Sequence, residues 1–248
     1  MVVNTAKKRM LEGRPAFGGA CGTGSPLAAQ VMALAGFDFV LLDDQHGLWE
    51  PNAIVAAFQN IHCAGAVPMA RVQKNEFATI GAMLDRGAMG IVAPLVNSVE
   101  DARAAAYAMR YPPRGGRSFG PYGCASYGPD YADWVDDEVF LAVQIESKEA
   151  VEQVEEILAV DGVDGCWIGP NDLGRSMGLD LSKPEDVEAH QAAISRTLDA
   201  CKKANKIPGI AFGPTVELIE QGFLFLTPGS DLGILRTASR EMLDKLRS

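Results

Sequence analysis

Short apolar runs rich in Val, Ile, Leu and Phe alternate with stretches of helical period along nearly the whole chain. Apolar segments bounded by turn residues predict strands at 16–19, 37–43, 67–72, 90–96, 140–146, 165–169, 208–212 and 223–227. Amphipathic segments predict helices at 25–35, 52–63, 77–86, 98–110, 148–159, 184–204, 215–221 and 232–246. Eight strand–helix alternations define an α/β chain and predict a closed parallel (β/α)8 barrel, the TIM-barrel architecture. A further helix at 5–12 would cover the bottom of that barrel. Gly36, Gly87, Gly162 and Gly222 each stand just before a predicted strand, where a helix ends in a left-handed residue. No shift of composition or Ser/Pro-rich linker divides the chain, so residues 1–248 read as one domain.

One connection breaks the rhythm. Residues 111–137 are rich in Gly, Pro and Tyr and poor in helical period. A loop of this length is expected to be a lid, binding loop or oligomer contact, placed on the catalytic side of the barrel.

Strand ends are where a barrel keeps its chemistry, and the polar residues there form a pattern. Val143-Gln-Ile-Glu146 and Trp167-Ile-Gly-Pro-Asn-Asp172 end neighbouring strands, which brings Glu146 and Asp172 to one mouth. Two hard oxygen ligands with positions left for substrate and water suit Mg2+ or Mn2+. Gln144 lies two residues before Glu146 and shares its strand face. Gly169, Pro170, Asn171 and Asp172 open a short helix, whose free amides can receive a substrate carboxylate. Strand two ends in Asp43-Asp-Gln-His46, and His46 alone of three histidines stands at a strand end. Imidazole accepts and returns protons near neutral pH, so His46 is the candidate base, with Asp43 to orient it or a metal-bound water. Arg71 ends strand three; its forked donors fit a substrate carboxylate or an enolate oxygen, or a structural ion pair with Asp43, Asp85 or Glu146. Phe212, in the turn after strand seven, is expected to line the rest of the pocket.

Composition narrows the field further. With 48% hydrophobic and 22% charged residues the chain can bury a large core, and its net charge is −10. That charge and the lack of any Lys/Arg block speak against nucleic acid or an anionic membrane as partner. No run approaches the ~20 apolar residues of a membrane span. No apolar leader core follows Lys7, Lys8 and Arg9, and Cys21, Cys63, Cys124, Cys166 and Cys201 show no Cys-x-x-Cys spacing. Structural thiols and a cytoplasmic location are expected. No strand end carries a lysine for imine chemistry, and no Gly-x-Gly-x-x-Gly or phosphate-loop string is present.

Taken together, Asp43-Asp-Gln-His46, Arg71, Met83-Leu-Asp85-Arg-Gly-Ala, Arg110-Tyr-Pro-Pro-Arg-Gly, Val143-Gln-Ile-Glu146 and Ile168-Gly-Pro-Asn-Asp172 resemble the metal-dependent 4-hydroxy-2-oxoheptanedioate (HpcH/HpaI-type) aldolase family nearly end to end. The resemblance implies a phosphoenolpyruvate/pyruvate-type barrel that forms homohexamers by exchanging its C-terminal helix. It implies Mg2+, Mn2+ or Co2+ on Glu146 and Asp172, with pyruvate chelating the ion. Arg71 would stabilise an enolate, His46 and Asp43 would move protons, and Asp85 would reach a neighbouring subunit's site. The implied reaction is reversible class II cleavage of a 4-hydroxy-2-oxo acid to pyruvate and an aldehyde, of the kind used in aromatic compound catabolism. An acyl-CoA lyase or oxaloacetate decarboxylase on the same site stays open, with Arg114 and Arg117 as thin support for a CoA thioester. A non-catalytic ligand-binding barrel stays open as well. The chain departs from the family string at Gln45, where Asp-x-Glu-His is usual, and Arg117-Ser-Phe-Gly-Pro121 marks a similar subgroup.

Overall fold

In the computed structural model, which describes residues 1–213 and 215–247, eight strands hydrogen-bond in chain order into a closed parallel barrel. They are β1 (Ala16–Cys21), β2 (Phe39–Asp43), β3 (Val67–Arg71), β4 (Gly90–Ala93), β5 (Phe140–Ile145), β6 (Gly165–Ile168), β7 (Gly209–Ala211) and β8 (Phe225–Ser230). The helices are α1 (Thr5–Leu11), α2 (Pro26–Leu34), α3 (Pro51–Cys63), α4 (Phe77–Arg86), α5 (Val99–Met109) and α6 (Tyr131–Glu138). After β5 come α7 (Lys148–Glu152), α8 (Val154–Leu158), α9 (Pro170–Ser176), α10 (Pro184–Lys203), α11 (Thr215–Gln221) and α12 (Asp231–Arg247). Among the described residues no helix is long and apolar enough to cross a membrane. All five cysteines are free thiols.

Side chains two apart on a strand share a face, and the ladder register aligns those faces around the barrel. Gly18 pairs with Phe39, Asp43 with Arg71, Gly90 with Phe140, Gln144 with Trp167 and Gly209 with Phe225. Low in the barrel, Phe225 stacks on Phe39 at 4.7 Å and meets Phe140 edge-on at 5.1 Å. Gly18 makes the room, because a Cβ there would stand 1.9 Å from the Phe39 ring. Each phenyl taken out of water contributes about 1.5–3 kcal/mol. The interior is thus a packed apolar plug below and a polar layer above. Asp43, Arg71 and Gln144 belong to that upper layer, and Glu146 follows β5 on the same face.

α1 closes the bottom as expected. The buried Asn4 caps it by accepting from the Lys7 N–H at 2.9 Å, and donates to Met89 O at 2.9 Å and Glu138 O at 3.0 Å.

The long connection overturns two expectations. It contains a 3-10 turn (Tyr122–Tyr127) and α6, so it is not irregular. It also joins the end of α5 to the start of β5, which puts it at the bottom of the barrel, opposite the mouth. In a parallel barrel every helix returns the chain to the amino ends of the strands, so helix-to-strand segments cannot line the catalytic face. Tyr127 there donates to Gly87 O at 2.6 Å, at the end of α4. Arg114 pairs with Asp137, and the buried Arg117 with Asp85 at 2.9 Å. The basic residues that favoured a CoA thioester are therefore remote from the mouth.

α12 differs from every other long helix. It buries no residue, and Leu232, Ile234, Leu235, Met242, Leu243 and Leu246 are exposed.

Candidate active site

Glu146 stands one residue past β5, and Ser147 immediately caps α7 by accepting from the Ala150 N–H at 3.1 Å. Strand end and helix start thus leave this carboxylate almost no freedom. It is buried, at 4% exposure, and among the described residues it makes no ion pair. One oxygen accepts from the Leu95 N–H at 2.9 Å, and the other from Gln144 Nε2. Leu95 has φ of 54°, a left-handed conformation uncommon for a side chain with a Cβ, and costs of order 1–3 kcal/mol are usual there. That turn shortens the expected strand 90–96 to β4. It aims an amide at a buried anion, which is where charge-assisted hydrogen bonds gain most. Burial above all, with the charge of Asp172, pushes the Glu146 carboxyl above the ordinary carboxylate value, against the Leu95 amide, Arg71 and Gln144.

Gln144 shares a strand face with Glu146, as its spacing predicted, and donates to its carboxylate. The Oε1 of Gln144 is buried with no hydrogen-bond partner among the described residues. Gly169 packs alongside, just past the end of the neighbouring strand: a Cβ there would lie 3.1 Å from both Gln144 Nε2 and Glu146 Oε2.

Across the mouth, Asp43 and Arg71 end adjacent strands in register. The guanidinium forms a two-pronged pair, Nε to Oδ1 at 2.9 Å and Nη2 to Oδ2 at 2.5 Å. Of the ion-pair partners left open for Arg71, the structure selects Asp43. Both oxygens of Asp43 are thereby engaged, and its link to His46 runs through the His46 backbone N–H at 3.3 Å. Asp43 thus reaches His46 through the backbone while its carboxylate is held by the planar fork of the arginine on the next strand. Gln45 Oε1, beside His46, is buried without a partner among the described residues.

Asp172 sits in the first turn of α9, after Pro170 at the first helical position, where no N–H is needed. The amides of Asn171 and Asp172 precede the first intrahelical bond, which Leu173 donates to Gly169 at 3.0 Å. Asp172 is exposed, whereas Glu146 is buried. Two ties hold α9. The buried His190 ring bonds Pro170 O at 2.8 Å, and the Lys148 N–H donates to Ser176 Oγ at 3.0 Å. His190 lies inside the predicted helix 184–204, and its partner, a backbone carbonyl, leaves no trace in sequence.

Two expected site residues lie apart from this group. Asp85 is near the end of α4, at the bottom, held by Arg117, so it faces away from its own chain's mouth. Phe212 follows β7 at the correct end, half exposed and left-handed at φ 53°, with its N–H donated to Thr227 O at 3.1 Å. At the start of α12 the Asp231 carboxylate accepts from the N–H of Gly22 and of Thr23 and from Thr23 Oγ1 at 2.7 Å.

Carboxylates and a clamped arginine at the carboxyl ends of the strands stand where (β/α)8 enzymes keep their active sites. A family model described as HpcH/HpaI aldolase/citrate lyase matches residues 22–238. A hydroxypyruvate/pyruvate aldolase of Rhizorhabdus wittichii is 37% identical over 243 residues, 96% of each chain. A 4-hydroxy-2-oxo-heptane-1,7-dioate aldolase of Shigella sonnei is 33% identical, covering 96% of this chain and 93% of its own. The solved structure of an HpcH/HpaI aldolase/citrate lyase family protein from Burkholderia cenocepacia superposes with a TM-score of 0.90 at 30% identity, over 99% of this chain and 100% of the other. The chain belongs to the HpcH/HpaI aldolase/citrate lyase family.

Proposed function

We propose that this chain is a metal-dependent pyruvate aldolase that reversibly cleaves a 4-hydroxy-2-oxo acid into pyruvate and an aldehyde. The observation that carries the reading is Glu146. It is a carboxylate buried beside a second one, with two neutral hydrogen bonds and no ion pair among the described residues. Such a pair is stabilised by a cation between its members, and an all-oxygen donor set fits Mg2+, Mn2+ or Co2+. Held by Glu146 and Asp172, a divalent ion supplies Lewis acidity toward a keto oxygen.

The chain's own groups do the rest. Cleavage of the C3–C4 bond sends its electron pair toward the C2 oxygen as an enolate. Arg71, fixed by Asp43, presents the positive charge that meets it. His46 removes the 4-hydroxyl proton as the aldehyde forms, and a proton returns to C3 to give pyruvate. The amides of Asn171 and Asp172, with Gln144, receive the substrate carboxylate, Gly169 and Pro170 shape that turn, and Phe212 borders the aldehyde side. The names of the two aldolase relatives support the substrate class.

Purified enzyme is expected to release pyruvate from 4-hydroxy-2-oxo acids, to stop in EDTA, and to recover with Mn2+ or Mg2+. Release that persists in EDTA and is trapped by borohydride would indicate a lysine imine. A protein that binds neither Mn2+ nor pyruvate in titration would be a silent barrel.

The bare apolar stripe of α12 supports assembly with further copies, hexamers by family analogy, with Asp85 then offered to a neighbour's mouth. Light scattering is expected to show an oligomer, and the paired change Leu235→Glu with Leu246→Glu to shift it to smaller species. A wild-type monomer would contradict this.

A further inference from the structure

The residue beneath the arginine has no assigned part in the reaction, yet its surroundings are unusually specific. Trp167, in β6, is 2% exposed and pairs in register with Gln144, so its indole points into the barrel at the level of the mouth. The ring reaches two other strands. Its N–H donates to Thr227 Oγ1 on β8 at 3.2 Å, and the Arg71 guanidinium on β3 lies over it, 5.3 Å from Cζ to the ring centroid. Thr227 is itself buried, at 1% exposure, so the indole's roll is fixed from one edge.

Arg71 is thereby constrained in two independent ways. Asp43 grips Nε and Nη2 in the guanidinium plane, and the indole supports its face. Three N–H bonds remain, one on Nη2 and two on Nη1, and Nη1 has no hydrogen-bond partner among the described residues. An in-plane pair alone allows the fork to swing about the Asp43 carboxylate. A negative aromatic face stops that swing, and in a desolvated setting the attraction is at its largest. Phenylalanine would supply a smaller face and no N–H for Thr227 to hold.

We infer that Trp167 is a positioning residue that fixes the height and tilt of Arg71, so that Nη1 is preset toward the oxygen on which charge develops. This rests on the aldolase reading of Arg71. Transition-state stabilisation by a fixed donor depends on its placement before reaction. Loss of the indole is therefore expected to lower kcat while leaving ground-state and metal binding nearly intact.

The test compares Trp167→Phe and Trp167→Leu, each checked for folding by circular dichroism. Expected losses of kcat are severalfold for the Phe variant and roughly thirtyfold for the Leu variant, with KM and Mn2+ affinity near wild type. In an Arg71→Ala background, Trp167→Leu should cost almost nothing further, because its target is gone. A readout independent of turnover is indole emission. Arg71→Ala should change the emission of the unliganded protein, and that change should vanish when Trp167 is Phe. Undiminished kcat in both variants, an equal loss in the Arg71→Ala background, or emission indifferent to Arg71 would each overturn the inference. Wild-type enzyme lacking metal-dependent pyruvate release would instead sink the aldolase reading itself, and the positioning role with it.

Discussion

Glu146→Gln is expected to abolish tight Mn2+ binding and to cut pyruvate release on the order of a thousandfold. Lewis-acid polarisation of a keto group is worth several kcal/mol, and about 1.36 kcal/mol is a decade in rate. The fold should survive, because an amide can keep hydrogen bonds with Leu95 and Gln144. Stability should shift in a pH-dependent manner that identifies the cause. Burial, chiefly, raises the folded-state pKa of Glu146 above the value of 4.5 taken for a free carboxyl. An acid raised on folding holds its proton more tightly in the native state, so its favourable contribution is complete below the unfolded pKa. It is lost as pH rises through the folded pKa. Metal-free wild type should therefore lose stability relative to the Gln variant from about pH 4.5 upward, as seen in thermal melts with EDTA. Mn2+ affinity of the wild type should climb over the same window, since only the carboxylate binds the ion. A stability gap that widens toward low pH would mean that Glu146 is held charged by a cationic side chain, and would contradict the site described here.

Arg71→Ala is the second large effect, with kcat expected to fall about 10²- to 10³-fold, the scale for one preorganised oxyanion partner. Mn2+ affinity should move little, because Arg71 does not hold either proposed ligand. Arg71→Lys should recover only a minor part. An ammonium is a point donor and cannot span both Asp43 oxygens while keeping a separate N–H for substrate. Steady-state kinetics with a 4-hydroxy-2-oxo acid, beside an Mn2+ titration, separates the two quantities. A lysine variant of near wild-type kcat would show that charge alone suffices and that the fork geometry is incidental.

The barrel was legible because its elements announce themselves in two periods. β2, β3, β5 and β6 fall within a residue or two of their predicted ends, since apolar alternation stops where the chain meets water at the mouth. The candidate residues that stand on those ends, Asp43, Arg71, Gln144 and Glu146, were legible for the same reason. Residues 111–137 were misplaced because Arg, Gly and Phe in sequence look like a binding loop. Their side of the barrel is dictated by the helix before them, not by their own chemistry. Trp167 and His190 gave no signal in sequence, because a buried aromatic and a helical imidazole carry no pattern of their own. Their contacts lie on distant elements, Thr227 and Arg71 for Trp167 and Pro170 O for His190. Leu95 escaped for a related reason: its contribution is a backbone amide in a left-handed turn, and leucine is a poor advertisement for that conformation.

The Asp231 carboxylate opens α12 while gripping the loop that leaves β1 through the amides of Gly22 and Thr23. Hydrogen bonds from Thr23 and Gly22, working against partial burial, hold it below the ordinary carboxylate range, so the grip is made by an anion at neutral pH. In the assembly proposed above, a second copy seated on the outer length of that helix would pull, through Asp231, on the loop that leaves β1. Dilution of such an assembly would then slacken that loop, and specific activity would become a gauge of concentration.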